Sequence, residues 1–268
     1  MSSANPGSPG KRVLALHATR RGDGPTIVLV HGFTQTSASW GPVASDLARD
    51  FEVVVADLPG HGRSPIPDLG SGLEATAHAL GEACGKAAYV GYSLGGRCCL
   101  QLALQAPLLV ESLIVVGAHP GIADEPSRRL RRESDDVRAA ELERGGDAAV
   151  PDFVESWLAG PLFAHLTEEQ TGRSSRLGNS AAGLSASLRT VGTGTQLPMW
   201  EHLAELEMPV LVVAGALDDK FRALAEATVA AIGPNARLAV VAEAGHAVPF
   251  ERPRAFVDLV REFLRQGA

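Results

Sequence analysis

Cysteine, aromatic side chains and positive charge are all scarce in this 268-residue chain. Its three cysteines, Cys84, Cys98 and Cys99, are odd in number and two are adjacent, which excludes a disulfide framework. They read as small buried apolar residues. No apolar run approaches the roughly 20 residues that a membrane-spanning helix needs. Lys and Arg number 24 against 31 Asp and Glu, for a formal net charge of −7. That balance argues against nucleic acid or an anionic membrane surface as partner. An anionic small molecule would need a local cluster of arginines. No metal-ligand spacing is present, and nothing demands a metal or organic cofactor. Residues 1–12, rich in Ser, Pro and Gly, read as a disordered tail and not as a signal peptide. A cytoplasmic location is the expectation; oligomeric state is not legible.

What is present is enough chain for one large domain with an insertion. Val13–His17, Thr26–Val30, Glu52–Ala56, Ala87–Val90, Glu111–Val116, Pro209–Ala214 and Leu238–Val241 read as strands. Thr26-Ile27-Val28-Leu29-Val30 is continuously apolar and β-branched, as a strand buried on both faces must be. Helical segments alternate with these strands, among them Glu74–Cys84, Arg97–Gln105 and Pro253–Arg265. The expected class is therefore α/β, a mostly parallel sheet with helices on both faces. Residues 121–200 break the alternation and read as a helical lid. It divides the core into a first part, 13–120, and a second, 201–268.

Gly91-Tyr92-Ser93-Leu94-Gly95-Gly96 lies between an expected strand and an expected helix. It fits G-x-S-x-G, a strained turn that exposes a serine hydroxyl where a helix N-terminus favours a developing anion. A serine needs a neighbouring imidazole to take its proton. Of eight histidines, His246, after the last strand and before the last helix, is best placed. His31 is expected to shape an early turn, and His61, in Pro59-Gly60-His61-Gly62, to be structural. His119 is expected to border the pocket. The imidazole in turn needs a carboxylate to fix its tautomer. Asp218 follows the strand ending at Ala214; Asp219 is the competitor. The order Ser93, Asp218, His246 is that of α/β-hydrolases. By the same resemblance, the backbone N–H groups of Phe33, in His31-Gly32-Phe33, and of Leu94 would form an oxyanion hole.

Further segments narrow the resemblance: Gly95-Gly96-Arg97, His119-Pro120-Gly121, Trp157 with Pro161-Leu162-Phe163, Arg176-Leu177-Gly178-Asn179, Ser187-Leu188-Arg189, and Val191-Gly192-Thr193-Gly194-Thr195-Gln196. Together they resemble the 2-succinyl-6-hydroxy-2,4-cyclohexadiene-1-carboxylate synthases of menaquinone biosynthesis, over nearly the whole chain after Val13. Gln35 stands where members often have glycine, and Ala247-Val248-Pro249-Phe250 is closer to general hydrolases. The resemblance implies a lyase that eliminates pyruvate from a substrate with several carboxylates. Ser93, His246 and Asp218 would abstract a proton. It implies substrate contacts from Arg97, Arg131, Arg176 and Arg189, since arginine binds carboxylates through paired hydrogen bonds. Arg131 is singled out of the group Arg128, Arg129, Arg131 and Arg132. Tyr92 and Trp157 would line the pocket. Two other readings stay open: a serine hydrolase of an ester or of a carbon–carbon bond in a ring-cleavage product, and a non-catalytic small-molecule receptor.

Overall fold

In a computed structural model of the chain, which describes residues 14–266, seven strands form one sheet. They are β1 (Ala18–Arg21), β2 (Thr26–Val30), β3 (Glu52–Ala56), β4 (Ala87–Tyr92), β5 (Val110–Val116), β6 (Val210–Gly215) and β7 (Ala236–Val241). Their spatial order is β1-β3-β2-β4-β5-β6-β7. All neighbours are parallel except β1 and β3. The helices are α1 (Gly41–Leu47), α2 (Leu73–Cys84), α3 (Leu94–Gln105), α4 (Glu125–Gly145), α5 (Val150–Leu158), α6 (Arg173–Arg176), α7 (Ala181–Val191), α8 (Asp219–Ile232), α9 (Val248–Glu251) and α10 (Pro253–Gln266).

Strand period explains the two cores. Val28 and Val30 point to the face covered by α2, α3 and α8, with Leu80, Leu100 and Ala225. Ile27 and Leu29 point to the other, where α1 and α10 supply Val43, Leu47, Phe256 and Val260. Each such Val, Ile, Leu or Phe side chain contributes about 1.5–3 kcal/mol on burial. β4 sits mid-sheet with every residue buried, so the serine that follows it emerges at the centre of the sheet's carboxyl edge.

Between β5 and β6 the chain leaves the sheet and builds α4 to α7. The Asp124 side chain caps α4 by accepting from the Ser127 N–H at 2.8 Å, and Gly146, at φ 59°, ends it. α4 and α7 pack together, and Ala139, Leu142, Val154, Leu184 and Leu188 form a small core of their own. Among the described residues no helix is long and apolar enough to cross a membrane.

The first strand differs from expectation. It is Ala18–Arg21, and Leu14–His17 is irregular. Ser64 Oγ accepts from the His17 N–H at 2.9 Å, and the Asp57 N–H donates to the His17 carbonyl at 2.9 Å. Leu14–His17 thus precedes the strand in line with it, Val13 lies outside the described residues, and the edge strand itself carries Arg20, paired with Glu52 at 3.0 Å. An exposed edge strand tolerates charge, so hydropathy misplaces it. The expected tail, 1–12, lies outside the described residues.

Candidate active site

Ser93 joins β4 to α3 with φ 51° and ψ −109°, a conformation L-residues rarely adopt. Glycines let the turn close. A Cβ on Gly95 would strike the carbonyls of Val30 and His31, and one on Gly91 would strike the backbone of Gly95. The Ser93 N–H donates to the Val116 carbonyl at 2.8 Å. The hydroxyl is left at the helix N-terminus.

The structure brings His246 and Asp218 to this serine. His246 Nε2 lies 3.5 Å from Ser93 Oγ, and Nδ1 donates to Asp218 Oδ2 at 2.9 Å. The other carboxylate oxygen, Oδ1, accepts the Phe221 N–H at 3.1 Å, capping α8. Burial alone would raise the Asp218 carboxyl. The hydrogen bonds from His246 and Phe221 outweigh it and hold the carboxyl below its ordinary value. Asp219 faces solvent and pairs with Arg222 at 2.9 Å, so it does not reach the imidazole. His246 is boxed by Phe221, with ring centroids 4.3 Å apart, and by Tyr92 at 5.6 Å. Its loop is clamped by Glu251, whose carboxylate accepts the N–H groups of Gly245 at 2.6 Å and Ala247 at 2.8 Å, one on each side of His246.

Neither the Phe33 nor the Leu94 backbone N–H donates to another described residue, so both are available to an incoming oxygen. The Gly32–Phe33 peptide plane is fixed from several sides. His31 Nε2 accepts from Leu58, so its proton sits on Nδ1, which donates to the Gly32 carbonyl at 2.8 Å. Gln35 Oε1 accepts the Gly32 N–H at 3.0 Å, which gives the glutamine at this position a local task. Burial pushes His61 down to about 3, and its ring packs edge-on to His31 and Phe33.

A cavity of about 110 Å³ opens at Ser93 and His246, with Phe33, Arg97, His119 and Trp157 in its wall. A larger one of about 550 Å³ lies among α4, α5 and the segment after it, and the two share Arg131, Trp157 and Leu162 as a common wall. Arg97 is almost fully buried, and among the described residues no carboxylate pairs with it. The one side-chain partner of its guanidinium among the described residues is Gln196 Oε1, at 2.8 Å. Burial pulls its guanidinium down to about 10. Burial, with Arg97 next in effect, lowers His119 to about 4.

Three expected contacts sit elsewhere. Arg189 is held on the surface by Glu143 and Asp136, because α4 presents both carboxylates to α7. Tyr92 lies behind the cavity, wedged against Phe250, with its buried hydroxyl unpartnered among the described residues. Alternation along β4 turns it to the opposite face of the sheet. Arg176 is buried, but it donates to Thr34 Oγ1, to the Phe33 carbonyl at 3.4 Å and to the Thr171 carbonyl at 2.7 Å. It braces the Phe33–Thr34 loop and is not in the cavity wall. Of the arginine group, Arg131 reaches both cavities. Arg128 and Arg132 turn to Glu125, and Arg129 to Glu133. Sequence reasoning missed Gln196, Glu251 and Lys220, the last also in the cavity wall. Lys220 stands two residues after Asp218 and Gln196 ends the Val191–Gln196 segment that carries the resemblance, which are the signals for them; Glu251 has no comparable one.

The chain matches the alpha/beta hydrolase family over residues 27–259. It is 34% identical to the 2-succinyl-6-hydroxy-2,4-cyclohexadiene-1-carboxylate synthase of Enterobacter sp. (strain 638), over 90% of this chain and 92% of that one. Its fold superposes on MenH from S. aureus with a TM-score of 0.87 at 27% identity, covering 94% of this chain and 98% of that. A thermophilic esterase from Thermogutta terrifontis, solved with malate bound, gives a TM-score of 0.82 at 25% identity, covering 94% and 93%.

Proposed function

Because the chain belongs to the alpha/beta hydrolase family, and within it to the 2-succinyl-6-hydroxy-2,4-cyclohexadiene-1-carboxylate synthases, we propose the following account of its reaction. The enzyme is a carbon–oxygen lyase of menaquinone biosynthesis. It eliminates pyruvate from 2-succinyl-5-enolpyruvyl-6-hydroxy-3-cyclohexene-1-carboxylate.

The proton at C2 lies beside the succinyl ketone and is the acidic one. Its removal makes an enolate. Electrons then form C2=C3, move C3=C4 to C4=C5 and expel the C5 oxygen as the enol form of pyruvate. Ser93, polarised by His246, is the base at the cavity; the proton passes to the imidazole, whose charge Asp218 stabilises. The 3.5 Å separation of Ser93 and His246 shortens when substrate closes the site. The Phe33 and Leu94 N–H groups serve as the oxyanion hole for the enolate oxygen, where preorganised donors stabilise charge only as it develops. The same imidazolium can return a proton to the departing pyruvate carbon. Residues 121–200 act as a lid that keeps water from the enolate.

The observation that carries this reading is Arg97. A buried guanidinium beside the serine, answered only by a neutral amide, is costly unless an anion arrives. A site for neutral esters has no use for it. Arg131 supplies a second cation to the same cavity. We place the protein in the cytoplasm as a small-molecule enzyme, with a small anionic substrate and neither nucleic acid nor membrane as partner.

Purified protein given the enolpyruvyl substrate and, separately, a neutral aryl ester tests the proposal. Rapid pyruvate release, read by a coupled lactate dehydrogenase assay, with slow ester turnover is expected. Fast ester cleavage without pyruvate would replace the lyase with a hydrolase.

A further inference from the structure

Arg131 is a half-exposed side chain on a surface helix, yet it reaches the wall of both cavities. One residue holds it there. Asp135, one turn along α4, is nearly fully buried. Both its carboxylate oxygens accept from Arg131 Nε, at 2.9 and 3.0 Å. The usual arginine–carboxylate fork engages two nitrogens of the guanidinium. Here the carboxylate straddles the single Nε–H, and the two terminal nitrogens donate to no described residue. Asp135 itself lines neither cavity.

The protein makes room for this acid at some cost. A Cβ on Gly192, at the end of α7, would strike the Leu188 carbonyl and would also lie 2.8 Å from Asp135 Oδ2, so the glycine leaves room for both. Burial raises the carboxyl above its ordinary value, and Arg131, with Arg138 at 3.8 Å and Arg97 farther off, only partly offsets this. An acid that served helix stability alone would be expected on the solvent face, where an i,i+4 pair contributes little but costs little.

Building on the lyase reading above, we propose that Asp135 is a positioning residue: it grips Arg131 by Nε and presents the two terminal nitrogens to a carboxylate of the substrate. Its effect is to remove rotamer freedom before binding, so that less is lost when the anion docks. Asp135 also acts electrostatically on both Arg131 and Arg97, favouring the charged form of each against their mutual repulsion.

A double-mutant cycle with the wild-type fold as reference tests this. Arg131→Ala should raise KM for the enolpyruvyl substrate about tenfold or more, as loss of a charge-assisted hydrogen bond does. Asp135→Asn, which keeps the shape of the side chain, should raise KM about tenfold, with kcat changed less than about twofold. Added to Arg131→Ala, it should raise KM less than about twofold further, because there is no guanidinium left to orient. Thermal unfolding of each variant reports whether the fold is kept, and Asp135→Ser provides a second variant if Asn misfolds. Effects that multiply would overturn the proposal, as would an Asp135→Asn KM equal to wild type while Arg131→Ala is impaired. In that second case the anion-binding cavity itself would stand. If Arg131→Ala leaves KM unaltered, the proposal falls too, and Arg97 then decides whether the lyase reading falls with it.

Discussion

Replacing Arg97 with methionine should make the protein more stable and nearly inactive. The unbranched methionine fills the space of the arginine stem without its charge. In the wild type, burial lowers the guanidinium from 12.5 to about 10, and at 1.36 kcal/mol per unit this corresponds to about 3 kcal/mol of unfavourable burial. Removing the charge returns that amount. Against it stands the Gln196 Oε1 acceptor, which loses its donor at 2.8 Å, a cost of about 1–3 kcal/mol. The balance is a gain of about 1 kcal/mol, or a rise in Tm of about 2–4 °C for a chain of this size. Turnover should move the other way. Two charge-assisted hydrogen bonds to a substrate carboxylate amount to about 3–5 kcal/mol, so kcat/KM should fall by a factor of about 10²–10⁴. Differential scanning calorimetry and the pyruvate assay read the two effects on one sample. A lower Tm with kcat/KM within about threefold of wild type would refute the reasoning, because Arg97 would then be a packing residue and not a poised anion ligand.

Three other perturbations follow from the same geometry. Asp218→Asn should lower kcat by about 10³–10⁴ with little change in KM, since the imidazole loses both its tautomer control and its countercharge; a loss under tenfold, measured by steady-state kinetics, would remove Asp218 from the relay. Glu251→Gln places an amide donor against the Gly245 or Ala247 N–H, so the His246 loop should loosen and kcat should drop about tenfold while KM holds; an unchanged kcat would show that the clamp is dispensable. His61 is held neutral down to about 3 in the fold but takes a proton near 6.5 when unfolded. The unfolded state therefore binds more protons in this window, and stability should fall as pH drops from about 6.5 toward 3, by about 1.4 kcal/mol per pH unit from this residue. Urea unfolding from pH 7 to 4 should show a shallower slope in His61→Asn; identical slopes would contradict the assignment.

Much of the frame was legible in the chain because burial on two sides leaves a continuous apolar run. β2 and β3 match their expected bounds residue for residue. The edge strand was not legible, since exposure frees its sequence from that constraint. At the site, motif chemistry and chain order sufficed to nominate Ser93, Asp218 and His246, which the structure places within hydrogen-bonding reach in series. Substrate-binding arginines were a harder problem. Whether an arginine faces a cavity depends on which acceptors its neighbours offer, and those can belong to other elements. Arg189 is drawn to Glu143 and Asp136 on α4, and Arg176 to the loop at Phe33. Arg131 is turned inward by an acid four residues on. Gln196 acts through one side-chain contact and Glu251 through two backbone contacts, and no local pattern announces either.

In the proposed reaction Ser93 serves as a base for elimination and not as a nucleophile. Mixing excess enzyme with the enolpyruvyl substrate in a single turnover, and following pyruvate, the ultraviolet absorbance of the new conjugated diene and the intact protein mass together, tests it most directly. One pyruvate should appear for each diene, at one rate, with the protein mass unchanged at every time point and no turnover in Ser93→Ala. A transient adduct on the Ser93 peptide, or pyruvate released without the diene, would contradict it.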